Sequence, residues 1–162
     1  MNYKEDLKEI NKLIDQAKNI ENLLRKSEIR IGKKSDFKIT GYLGRNFLGD
    51  IIRSSKVSAI NLDIGKLQRE ILDFHKNLML YNEDLARKVD LPVKLEDFVS
   101  SKTVLSDIKL RTQMRLKELE VQKLLARMRT ITKKLSKEKE KIYYNYKKEQ
   151  ELESFKKEKI TF

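Results

Sequence analysis

From Val57 to Leu85, nine apolar or aromatic residues recur at alternating spacings of three and four: Val57, Ile60, Ile64, Leu67, Ile71, Phe74, Leu78, Tyr81 and Leu85. A strand repeats every second residue, so no sheet can place this series on one face, whereas a helix carries it as a continuous stripe. The spacing is that of the a and d positions of a heptad, and such a stripe is stable only against another one. The rest of the chain therefore has to supply at least one more helix.

A second seam lies downstream: Leu110, Met114, Lys117, Val121, Leu124, Met128, Ile131, Leu135, Glu138 and Ile142, with Lys117 and Glu138 its polar members. Set antiparallel to the first, it pairs Ile60 with Leu135, Ile64 with Ile131, Leu67 with Met128, Ile71 with Leu124, Phe74 with Val121, Tyr81 with Met114 and Leu85 with Leu110. The flanking positions then bring Asp63 beside Lys134 and Glu70 beside Arg127, and only Lys56 meets a like charge, Lys141. Exposed pairs contribute ~0.2–1 kcal/mol each, enough to choose a register while the apolar layers carry the energy. The expectation is an all-α fold built on an elongated antiparallel coiled-coil hairpin.

The stripe Leu7, Ile10, Ile14, Ala17 and Leu24, widened by Leu13, Ile20 and Leu23, predicts a further amphipathic helix from Tyr3 to about Arg25. Packed alongside the hairpin, it makes the whole three-helix bundle-like. It would cover Leu62, Leu72, Met79, Leu116, Leu119 and Leu125, which lie off the seam; scattered surface exposure, or a partner groove or homo-oligomer face, are the alternatives. The expected organisation is one helical domain over 1–162, with helices at 1–27, 47–89 and 101–158 and a connector at 90–100. Pro92 stops the second helix, Lys94 to Val99 reads as a short helical turn, and Ser100 or Ser101 caps the third. Between the first two helices, at 28–46, Ile29 and Ile31 flank Arg30, and Phe37 and Ile39 flank Lys38, the pattern of a loop or a small β-hairpin. Asn46 is placed to cap the second helix and Asp50 suits its positive end.

Charged residues make up 38% of the chain and aromatics 7%, with one Pro and five Gly. That balance suits long solvated helices with few turns. The net charge of +12 favours polyanions or acidic protein surfaces as partners. With no Cys there are no disulfides, thiolate nucleophiles or Cys-ligated metals, and a cytoplasmic location is expected. The first 24 residues mix acids and bases too finely for a signal peptide or anchor, and no stretch is apolar enough for membrane insertion.

No residue set points to catalysis or to a cofactor. His75 is the only histidine, and with Glu118 as its expected neighbour it reads as a half-exposed helix residue in preference to a general base. One His without Cys cannot build a usual zinc site, and Walker loop, nucleophile elbow and paired Glu-x-x-His motifs are absent. Gly41, Gly44 and Arg45 precede a helix start and form a weak anion-site candidate, with a structural turn the plainer reading.

The remaining candidate is the third helix, where Arg127, Arg129, Lys133, Lys134, Lys137 and Lys141 precede Tyr143, Tyr144 and Tyr146. Clustered bases beside aromatics can grip phosphates and stack on unpaired bases, but Glu138, Glu140 and Glu149 interrupt the run as on an ordinary solvated face. The function expected first is thus a non-enzymatic protein-binding adaptor, scaffold or chaperone-like subunit presenting its hairpin to a protein partner. The second is a nucleic-acid-binding accessory protein using the basic face of the third helix.

Overall fold

The computed structural model describes residues 3–32, 47–89 and 107–160. Every regular element among them is a helix: α1 (Tyr3–Gly32), α2 (Phe47–Tyr81), the single turn α3 (Glu83–Ala86) and α4 (Asp107–Ile160). The all-α, bundle-like class read from the sequence is therefore the observed one. One hydrophobic cluster draws on all four helices, with Ile10, Leu13, Ile20 and Leu24 from α1, Ile64, Leu67, Ile71, Phe74 and Leu78 from α2, Leu85 and Ala86 from α3, and Val121, Met128, Ile131 and Leu135 from α4. Burying each large side chain contributes about 1.5–3 kcal/mol.

Helix α1 is longer than the sequence pattern suggested. Ile29 and Ile31, expected in a loop or hairpin, lie within it, and Ile31 is buried while Ile29 is exposed. Leu24, Ser27 and Ile31 are all buried at spacings of three and four, so the helical stripe simply continues with Ser27 as a small polar member. Phe37, Ile39, Asn46, Pro92, Lys94 to Val99, Ser100 and Ser101 lie outside the described residues.

Helix α2 ends at Tyr81, short of the expected 89. Asn82 adopts an extended backbone and its side-chain oxygen accepts the N–H of Leu85 at 3.1 Å, capping α3, whose first residues are Glu83 and Asp84. A good N-cap followed by two acids outcompetes the continuing heptad. Leu85 remains buried, but on a new axis.

The pairing of the long helices also departs from expectation. Both antiparallel neighbours involve α1. Against α4, Gln122 donates to Glu28 at 2.9 Å, Thr132 meets Glu21 at 2.6 Å, and the rings of Tyr3 and Tyr146 lie 6.5 Å apart. Against α2, Asn19 donates to Glu70 at 3.3 Å and Asn77 to Gln16 at 3.1 Å. Two helices each antiparallel to α1 must run parallel to each other, so α2 and α4 do not form the expected antiparallel hairpin. Among the described residues the close backbone approaches between long helices are chiefly those of α1 with α4 and with α2.

The physical reason is that a heptad seam complements another seam in either direction, so apolar matching alone cannot fix polarity. Helix α1 decides it. Its fully buried Ala17 lets neighbouring helices approach closely, and its stripe is broad enough to serve two of them. The turn at Asn82 then sends the chain back: Tyr81 is hydrogen-bonded to Glu138, while Leu85 and Lys88 share a groove with Arg127, Ile131 and Lys134.

Candidate interaction surface

Among the described residues, helix α4 outlasts the rest of the bundle. Its inner face, from Lys117 through Val121, Leu124, Leu125, Met128, Ile131 and Leu135, is buried, and Ile142 and Tyr146 are half-buried. From Lys147 to Phe155 every residue is exposed, around the whole circumference of the helix. At 1.5 Å per residue the segment from Lys147 to Ile160 extends ~20 Å. It carries Leu152 and Phe155, 53% and 63% exposed.

The three tyrosines grouped by the sequence part company here. Tyr146 packs against Tyr3 and accepts a hydrogen bond from Gln150 at 2.7 Å. Tyr143 lies beneath the ammonium of Lys147, 5.4 Å from the ring centre, a cation–π contact within one helix. Tyr144 points outward, 69% exposed.

Arg127, Arg129, Lys133, Lys134, Lys137 and Lys141 are all exposed and spread over the outward half of α4. Two of them do not stand on open helix: Arg127 and Lys134 edge a groove of about 240 Å³ that Leu85 of α3 and Lys88, just after it, also line. The interleaved acids are partly engaged, since Glu138 accepts a hydrogen bond from the Tyr81 hydroxyl. Burial, then the carboxylates of Glu138, Asp6 and Glu9, push the Tyr81 phenol up to about 12.

Of the apolar residues expected under α1, Leu125 is buried, while Leu62, Leu72, Met79, Leu116 and Leu119 are exposed. Helix α1 does not cover them. An open groove of about 600 Å³ lies between α1 and α2, walled by Glu5, Lys8, Glu9 and Lys12 and floored by Leu13, Asn77 and the exposed Leu80.

The proposed neighbours His75 and Glu118 are not brought together. Glu118 comes about four turns before Thr132, the residue level with Glu70, while His75 comes after Glu70. Glu118 instead lies 3.8 Å from Arg115. Gly41, Gly44 and Arg45 lie outside the described residues. Among the described residues three polar side chains are buried: Ser27 and Asn61, which no sequence pattern marks, and Lys117, a polar member of the second seam. Lys117 reaches out of the core to Glu120 at 2.7 Å. Nine residues forward from Asn19 and nine back from Glu70, along two antiparallel helices, reach Glu28 and Asn61, so Asn61 stands near the level of Ser27.

Among the described residues no group of His, Cys, Asp and Glu is arranged to hold a metal ion, and no helix is long and apolar enough to cross a membrane. Comparison of the chain with protein-family models, curated proteins and solved structures finds no match in any of the three.

Proposed function

We propose that the chain is a non-enzymatic, cytoplasmic adaptor, scaffold or chaperone-like subunit that presents the projecting end of α4 to protein surfaces. The observation that carries this is the contrast along one helix: α4 is anchored by a buried face as far as Leu135 and Ile142, then continues exposed on all sides with Leu152 and Phe155 uncovered. A rigid, anchored helix bearing aromatic and aliphatic anchors among charges is the form in which helix-recognising proteins read their targets. The outward bases favour a partner surface rich in acids.

Affinity capture from the native host, run in parallel with the wild type and the Leu152→Asp/Phe155→Asp variant, tests it. A protein retained by the wild type and lost by the variant is expected. Identical captures from both would reject the reading.

A second reading rests on a separate observation, the outward spread of Arg127, Arg129, Lys133, Lys134, Lys137 and Lys141: an accessory protein for nucleic acid. Neutralising phosphates releases counterions, so affinity for a polynucleotide would fall steeply with salt. Absence of binding at low salt removes this second reading.

A further inference from the structure

The projecting part of α4 has the packing needs of a helix without a partner. Most helical stability in proteins comes from packing one face against a neighbour, so a segment exposed on every side gains by setting one face against another helix. Tyr144, Lys148, Glu151 and Phe155 follow one another at spacings of four, three and four, and so form one stripe with an aromatic ring at each end and an oppositely charged pair between them. Tyr144 comes two and a half turns after buried Leu135, which turns the stripe away from the core. Leu152 flanks it.

We infer that this stripe pairs antiparallel with the same stripe of a second copy of the chain. This deepens the adaptor reading and rests on it, since it names a partner for the projecting segment. The charge order selects the occupant and the direction. Across a two-fold axis Tyr144 faces Phe155 of the second copy and Lys148 faces its Glu151, each contact occurring twice. Beside the seam Lys147 meets Ser154, and Asn145 meets Leu152. No like charges touch.

Other arrangements are penalised. A parallel, in-register pair sets Lys148 on Lys148 and Glu151 on Glu151. Slipping the antiparallel pair by one heptad puts Phe155 opposite Lys137 in one direction and opposite Glu151 in the other, so both slips place an aromatic ring against a charge. The contact is short, well below the ~1,200–2,000 Å² of a standard stable interface, so the dimer is weak and reversible.

Sedimentation velocity on the purified full chain, over a wide concentration range at low salt, tests the pairing. A reversible monomer–dimer equilibrium is expected, with its dissociation constant raised about tenfold by high salt and about tenfold or more by Glu151→Lys. The charge-swapped Lys148→Glu/Glu151→Lys variant restores it to within about threefold of wild type. Mixing chains carrying Lys147→Cys with chains carrying Ser154→Cys gives the mixed disulfide in preference to either symmetric one. A chain that stays monomeric throughout, a dimer indifferent to Glu151→Lys, or a predominant Lys147→Cys symmetric product would overturn the inference. These readouts use purified protein alone. A partner captured by a monomeric wild type would therefore remove the self-pairing and leave the adaptor reading standing, and a dimer that captures nothing would do the reverse.

Discussion

The hydroxyl of Thr132 on α4 lies 2.6 Å from Oε1 of Glu21 on α1, joining residues 111 apart in sequence. With Asn19–Glu70 close by on the other side of α1, it fixes the level of all three long helices. Thr132→Val, which keeps the shape and removes the hydroxyl, is expected to lower stability by about 1 kcal/mol. The shift of the urea midpoint at unchanged slope measures it. An unshifted midpoint would mean the bond is not made in solution.

Ile64 and Ile131 are almost wholly buried. Asp at either position leaves an unpaired charge in the core, at a cost of about 4 kcal/mol or more, and the helical circular dichroism signal should melt far below that of the wild type. Leu72, on the exposed face of α2, is the control: Leu72→Asp stays within about 0.5 kcal/mol.

Asn82 is expected to matter through its cap alone. Asn82→Ala removes the acceptor for the Leu85 N–H and costs about 1 kcal/mol, whereas Asn82→Asp retains it. Equal melting temperatures for the two variants would contradict the cap.

Tyr81 gives a pH dependence with a definite sign. Its phenol is held protonated up to about 12 in the folded chain, against an ordinary value of 10.0. Above 10 the unfolded chain sheds this proton while the folded one keeps it, so stability is lost between pH 10 and 12. Because the ring is partly exposed, the loss is no more than about 1 kcal/mol. Ultraviolet titration of wild type minus Tyr81→Phe should show a tyrosinate component with a midpoint about 12.

Helix direction can be checked by chemistry. Cys placed at Gln16 and Asn77, whose side chains are hydrogen-bonded at 3.1 Å, should be bridged within one chain by a short bifunctional thiol reagent. Cys at Ile60 and Leu135 should not, because the parallel course of α2 and α4 carries these residues apart. Efficient bridging of the second pair would restore the antiparallel hairpin.

Much of the bundle was legible in the sequence because it is written in local period: the stripes of α1, α2 and α4 became their buried faces. Direction was not. It depends on a third helix satisfying two seams at once, and the pairs of a two-helix alignment carry no information on that. Leu67 and Met128 come out near one level all the same, since the expected and observed alignments cross there; Tyr81, expected near Met114, shows how far they diverge elsewhere. Asn82 was overlooked because the heptad ran through it without interruption. The basic residues of α4 were found readily, charge being visible in composition, but the division between its anchored and projecting parts followed only from where Tyr3 meets Tyr146.

The parallel course of α2 and α4 bears on how the chain reaches its fold. An antiparallel hairpin of neighbouring helices can zip from its turn, meeting its contacts in order of sequence separation. Here the Gln122–Glu28 and Thr132–Glu21 bonds close loops of 94 and 111 residues, and the helix that unites the core is made before the two it joins. Such distant contacts must pay loop-closure entropy before any of them is rewarded, which slows folding relative to simple helical bundles. Helix α1 would emerge early and wait, its apolar face open, until the last long helix arrives.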